Sequence, residues 1–183
     1  MIAERQVQVP QGNTRVLEVD GPRPEHPVLM IHGNPSNAGD WKPFLSRLEG
    51  RRRAIAPDLL GWGKSDRPTA FPGTMEALAG WLGDAIDALG VERFDLVVHD
   101  WGGIALVTAS RRPEAVDRVV VMNSVPLMAD MLSAKRGWMN GSASPQTISD
   151  GPVRLFRPAA RGANFSGSAS RYSSSTARLV PRS

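Results

Sequence analysis

Hydrophobic and polar positions follow a repeating block pattern along the first two thirds of the chain. Continuous apolar runs such as residues 27–31, which suit a strand covered on both faces, give way to segments with apolar residues at every third or fourth position. The clearest of these begins at a Thr74 N-cap, reaches Gly90 and predicts an amphipathic helix. The alternation continues to about Leu127 and predicts an α/β fold, in which a mostly parallel sheet carries helices on its faces.

The remaining elements of this alternation are shorter. Strands are predicted at residues 15–19, 54–56, 94–98 and 118–122. A helix is predicted over residues 103–110, and Asp40 is expected to cap a short helix that ends at Gly50.

The pattern is lost after the last predicted strand. From residue 137 onward the chain consists of Ser, Gly, Ala, Pro and Arg with neither period, and has too few apolar residues to offset the entropy of ordering. We therefore expect residues 1–136 to form the N-terminal part of a domain and residues 137–183 a disordered, low-complexity tail. The abrupt change favours a truncated or frameshifted gene.

Composition narrows the classes of function. No apolar run approaches the roughly 18 residues that a membrane helix needs, and the start lacks an apolar signal segment, so we expect a cytoplasmic protein without a membrane partner. The absence of cysteine excludes disulfides, thiol nucleophiles and cysteine metal sites. We expect neither a metal nor a cofactor.

The pI of about 10.3 would suit a nucleic-acid partner, but the charge is unevenly placed. Six arginines and one acid, Asp150, follow residue 141, so this end carries +5 and residues 1–141 carry −1 of the total of +4. Arginines spaced by Ser, Ala and Gly indicate a solvated segment. We therefore expect no nucleic-acid partner.

Candidate chemistry begins with the run Val-Val-His-Asp-Trp-Gly-Gly at residues 97–103, where a predicted strand meets a predicted helix. A sharp turn there raises Asp100 at the carboxyl edge of the sheet, and Gly102 and Gly103 leave room for the backbone to turn. A carboxylate is ionised at neutral pH and needs no base in order to attack. The run predicts a nucleophile elbow with Asp100 as the nucleophile.

Two further loops follow predicted strands: His32-Gly33-Asn34-Pro35, and residues 57–68 with the sequence Pro-Asp-Leu-Leu-Gly-Trp-Gly-Lys-Ser-Asp-Arg-Pro. Together with the elbow, their order and spacing resemble the α/β-hydrolase fold family. The resemblance implies that main-chain N–H groups of Trp101 and Asn34 bind a developing oxyanion. His32 and Gly33 are then structural parts of the loop.

Within that family, the residues around Asp100 look like those of haloalkane dehalogenases. The resemblance implies displacement of a halide from a small apolar organic substrate by Asp100, with Trp101 and Asn34 holding the halide, followed by hydrolysis of the alkyl ester to an alcohol. Epoxide hydrolases share the aspartate and are the first alternative. They more often carry glycine where Val98 stands and use lid tyrosines, whereas the single tyrosine here is Tyr172.

The resemblance also implies a base histidine and a catalytic acid, and neither is found in this chain. Asn123 stands where some dehalogenases carry the acid, and no histidine follows His99. A complete domain of this kind needs about 250 residues. A catalytically dead remnant or an interaction module is therefore the alternative from another class, in which Asn34 and Trp101 only cap and pack.

Overall fold

The computed structural model describes residues 1–124 and the backbone of residues 153–156, which together form one sheet flanked by helices. Its strands are β1 (Ala3–Val9), β2 (Gly12–Val19), β3 (Val28–Ile31), β4 (Ala54–Pro57), β5 (Phe94–His99), β6 (Val116–Met122) and β7 (Val153–Phe156). The helices are α1 (Lys42–Leu48), α2 (Met75–Ala88) and α3 (Ala105–Arg111), and short 3-10 turns at Ala38–Trp41 and Asp100–Ile104 precede α1 and α3. The strand order is β1-β2-β4-β3-β5-β6-β7.

The sheet is mixed, with a parallel centre. Strands β4, β3, β5 and β6 run parallel, as the strand–helix alternation predicts. The edges are antiparallel: β1 and β2 form a hairpin, β2 pairs with β4, and β7 pairs with β6. The predicted α/β class with a mostly parallel sheet is confirmed, and the carboxyl ends of the parallel strands share one edge of the sheet.

Two strands were not predicted from the sequence. In β1 only Val7 and Val9 are buried, so its apolar alternation is too short to stand out. The expectation of a wholly disordered tail is wrong at residues 153–156, which form strand β7. The backbone of β7 covers the edge of β6 that would otherwise be open. The rest of the predicted tail and the predicted boundary at residue 136 lie outside the described residues.

The core has two layers because successive strand residues point to opposite faces of the sheet. Leu29 and Ile31 of β3 pack on the side of α2 and α3, while Met30 packs on the side of α1. Trp81 of α2 is fully buried and its indole N–H donates to Thr14 Oγ1 at 3.1 Å, which ties α2 to β2. None of the described helices is long and apolar enough to cross a membrane, and the cytoplasmic location stays a prediction.

The helix starts follow from local hydrogen bonds. Thr74 caps α2, as expected, by accepting from Ala77 N–H at 3.2 Å. The predicted Asp40 cap is wrong. Asn37 is the N-cap of the turn leading into α1, because its backbone is extended and its side-chain oxygen accepts from Gly39 N–H at 2.8 Å. Asp40 therefore lies inside the turn.

Candidate active site

Asp100 follows β5 directly and occupies a sharp elbow at the carboxyl edge of the sheet. Its φ of +50° lies in the left-handed region, which among the described non-glycine residues only Arg23 and Asn123 share. The buried Val98 fixes the strand below it, and Ser124 Oγ donates to the Asp100 carbonyl oxygen at 2.9 Å. The side chain is therefore presented from a rigid, strained turn.

Small residues beside Asp100 are a steric requirement of the elbow. A Cβ atom on Gly33 would lie 2.5 Å from the Asp100 Cβ, and one on Gly102 would lie 2.2 Å from the main-chain oxygen of Ile31. Gly103 is buried in the same turn. The elbow and the loop after β3 thus touch at distances that only glycine permits.

The loop after β3 donates to the Asp100 carboxylate. The main-chain N–H of Asn34 lies 2.9 Å from Asp100 Oδ1, so one carboxylate oxygen is held while Oδ2 has no hydrogen-bond partner among residues 1–124. Trp101, the residue that follows Asp100, is 38% exposed. Asp100, Asn34 and Trp101 therefore meet at one place, although no described hydrogen bond joins Trp101 to Asp100.

His32 is buried beneath this loop and both ring nitrogens are engaged. Leu59 N–H donates to Nε2 at 2.9 Å, so the proton of the neutral ring is on Nδ1, which donates to the Gly33 carbonyl oxygen at 2.7 Å. Burial lowers the pKa of His32, against the opposing effect of the Gly33 hydrogen bond. The neutral ring joins the loops after β3 and β4, and has no free lone pair for a base.

Asp58 joins the same two loops from the other side. Its carboxylate is fully buried and accepts from Ala38 N–H at 2.7 Å and from Lys64 N–H at 2.8 Å. Arg15 of β2 lies 3.2 Å away and balances its charge. The hydrogen bond from Ala38 thus fixes the loop after β4 against the segment that follows Asn34, and the ion pair fixes it against β2.

The other two histidines do not face Asp100. His99 points to the α1 face of the sheet, where it lines a cavity of about 180 Å³ with Trp41, Phe44 and Met122. His26 lies at the amino ends of the strands, 3.6 Å from Asp95 and 3.4 Å from Asp117. No group of three or more His, Asp or Glu side chains in the described part of the chain is arranged to hold a metal ion.

Trp62 is a site residue that the sequence reasoning missed. Its indole N–H donates to Asn34 Oδ1 at 2.9 Å, and its ring centre lies 6.3 Å from that of Trp101. The Gly-Trp-Gly motif around Trp62 predicts a loop. The direction of the ring depends on the conformation of that loop, which the sequence does not specify. Ser124 escaped notice for the same reason.

Comparison with known proteins agrees with this geometry. A family model described as the alpha/beta hydrolase fold matches residues 26–180. Haloalkane dehalogenase 2 of Mycobacterium tuberculosis strain H37Rv is 36% identical over 110 residues, which cover 60% of this chain and 38% of that protein. The chain thus spans well under half of this curated relative.

Solved structures of two enzymes also superpose on this chain. Haloalkane dehalogenase DbeA from Bradyrhizobium elkani USDA94 superposes with a TM-score of 0.64 at 30% identity, covering 68% of this chain and 43% of that one. The epoxide hydrolase CorEH gives a TM-score of 0.62 at 25% identity, covering 69% and 44%. Haloalkane dehalogenases and epoxide hydrolases were both among the resemblances expected from the sequence.

Proposed function

The chain belongs to the α/β-hydrolase fold family, and from that premise we propose that Asp100 is a nucleophile that displaces halide from a small haloalkane. The observation that carries the proposal is the hydrogen bond from Asn34 N–H to Oδ1 of a carboxylate at a left-handed elbow. That bond holds one oxygen of Asp100 and leaves Oδ2 free to attack.

The covalent step follows from this asymmetry. A lone pair of Oδ2 forms a bond to the carbon of the substrate while the carbon–halogen bond breaks and the halide leaves with the bonding electrons. The indole N–H of Trp101 and the side-chain amide of Asn34 are the donors proposed to receive that halide. Oδ1, held by Asn34, becomes the carbonyl oxygen of the resulting alkyl ester.

Within this chain the reaction is expected to stop at the ester. Hydrolysis requires a base that takes a proton from water, and histidine is the usual one. His32 has both nitrogens engaged, His99 faces the other side of the sheet, and His26 lies at the opposite ends of the strands. The alkylated protein should therefore accumulate in a one-to-one ratio with substrate consumed.

A second candidate reaction is the opening of an epoxide, which the likeness to CorEH favours. Here Oδ2 would attack a ring carbon and the ring oxygen would leave as an alkoxide that takes a proton from solvent. The two reactions differ in mass balance. A haloalkane adds only its alkyl group and releases halide, whereas an epoxide adds its entire mass.

Intact-mass spectrometry tests the proposal and separates these reactions. The folded chain is incubated with a small primary bromoalkane or with the terminal epoxide of equal length. We expect one alkyl group per chain with the bromoalkane, removal of that group by hydroxylamine, and none in Asp100→Asn. Asp20→Asn, which changes an exposed aspartate away from the site, is the matched control and should alkylate normally.

Each other outcome has a defined meaning. A mass gain equal to the epoxide, with none from the bromoalkane, would favour the epoxide reaction. Alkylation that persists in Asp100→Asn would contradict the assignment of the nucleophile. Folded protein that gains no mass from either reagent would indicate a remnant or an interaction module.

A further inference from the structure

The side chain of Trp62 makes a contact to which the proposed displacement of halide gives no role. It lies in the loop after β4, between Gly61 and Gly63, which both have positive φ, and its indole N–H reaches across to the loop after β3. There it lies 2.9 Å from the side-chain oxygen of Asn34. The two loops are thereby joined above Asp100 by a side-chain hydrogen bond.

The chemistry of the donor fixes the orientation of the Asn34 amide. An indole nitrogen can only donate, so the atom facing it must be the amide oxygen. The amide nitrogen of Asn34, with its two N–H donors, then points away from Trp62. Because Asn34 is exposed, water would compete for both ends of the amide without this bond, and the group would sample several orientations.

Trp62 is itself rigidly held. Its main-chain N–H donates to the Leu59 carbonyl at 2.9 Å, and its carbonyl accepts from Ser65 N–H at 3.0 Å. The ring is half-buried and packs against the large core cluster on the side of α2 and α3. A donor on such a support loses little entropy when it holds a partner.

We propose that Trp62 is a positioning residue for the leaving-group site, which it serves by directing the Asn34 amide donors toward the departing halide. The inference rests on the proposed function of Asp100. No described hydrogen bond joins Trp62 to Asp100, and in this scheme Trp62 does not bind the halide. It acts through Asn34.

The first test measures how strongly alkylation depends on the leaving group. Trp62→Phe keeps an aromatic ring and removes the donor, and should slow alkylation by a chloroalkane about tenfold, the factor that corresponds to about 1.4 kcal/mol. The iodoalkane of equal length should be slowed much less, because iodide needs less help from hydrogen-bond donors. Trp62→His, which restores an N–H, should recover part of the chloride rate.

Two controls separate positioning from a loss of folded protein. Trp41→Phe removes an indole N–H that has no partner among the described residues, and should leave the iodide-to-chloride ratio unchanged. In an Asn34→Ala background, Trp62→Phe should have no further effect on the ratio. Equal slowing with both halides, or an effect that adds to that of Asn34→Ala, would overturn the proposal.

A second test needs no reaction at Asp100, so it distinguishes failure of this inference from failure of the proposed function. Sodium bromide is titrated against ¹⁵N-labelled chain while the Asn34 side-chain amide signals, assigned by their loss in Asn34→Ala, are followed by NMR. We expect the Asn34 amide signals to shift saturably with bromide, whether or not the parent is alkylated. The affinity for bromide should be at least fivefold weaker in Trp62→Phe. Absence of the shift in the parent, or equal affinity in the variant, refutes the inference.

Discussion

The main-chain N–H of Asn34 lies 2.9 Å from Oδ1 of Asp100 and joins two loops that are 66 residues apart in the sequence. Both loops leave carboxyl ends of adjacent parallel strands, β3 and β5, so the register of the sheet sets their separation. The length of this hydrogen bond therefore depends on how the central strands are paired. Changes that move either strand end should therefore alter the position of the Asp100 carboxylate.

The first prediction concerns the close approach at the elbow. Gly102→Ala places a Cβ 2.2 Å from the Ile31 main-chain oxygen, so the backbone must shift and the Asn34–Asp100 contact must lengthen. We expect a loss of about 1–3 kcal/mol in the free energy of unfolding, measured by urea denaturation, and a large loss of alkylation.

The matched control is Gly80→Ala, in the middle of α2, where a Cβ meets nothing within 4 Å. Alanine is the better helix former by roughly 0.5–1 kcal/mol, so this variant should be more stable and alkylate normally. If the two alanine variants behave alike, the steric account of the elbow is wrong.

The second prediction concerns the buried ion pair beneath the two loops. Asp58→Asn removes the nearer and fully buried partner of Arg15 and leaves only the more exposed Glu4 at 3.9 Å, and breaking a buried pair costs about 3–5 kcal/mol. Both loops should loosen together, because the same carboxylate accepts from Ala38 and Lys64 N–H. Hydrogen exchange at these two amides should accelerate in the variant, alongside its lower resistance to urea.

The comparison variant is Asp87→Asn, which removes an ion pair to Arg112 on the surface, where Asp87 is 59% exposed. Exposed pairs contribute about 0–1 kcal/mol. A cost for Asp87→Asn equal to that for Asp58→Asn would show that burial of the Asp58–Arg15 pair has no special importance.

Much of this site could be predicted because its chemistry is encoded locally. The run around Asp100 combines a strand end, a carboxylate side chain and two glycines within a few residues, and the core of α2 follows from its helical spacing. The parallel direction of β3, β5 and β6 follows from the alternation of strands and helices. Each of these inferences needed only neighbouring residues.

What could not be predicted depends on contacts between distant segments. Trp62 reaches Asn34 across 28 residues, and Arg15 reaches Asp58 across 43, through turns whose directions no local pattern specifies. The Asp40 cap was predicted wrongly because Asn37 competes for the same turn, and the extended backbone that makes Asn37 the cap is set by the preceding loop. Strand β7 depends likewise on the free edge of β6.

The last prediction concerns the pH dependence of stability. Burial lowers the pKa of His32, so in the folded chain the ring stays neutral at pH values where a histidine in the unfolded chain, with a pKa of about 6.5, takes up a proton. The unfolded state then binds more protons, and stability falls as the pH drops below about 6.5. Above that pH both states are neutral and this contribution is constant.

The size of the effect is bounded by one proton, which corresponds to at most about 1.4 kcal/mol per pH unit. His32→Gln keeps an oxygen that can accept from Leu59 N–H and removes the titration, so urea unfolding at a series of pH values should show a shallower acid slope in the variant. An NMR titration of the His32 ring protons in the parent checks the same point without mutation. A midpoint at or above 6.5, or an unchanged slope in His32→Gln, would contradict the role of a buried neutral histidine that bridges the loops carrying Asn34 and Trp62.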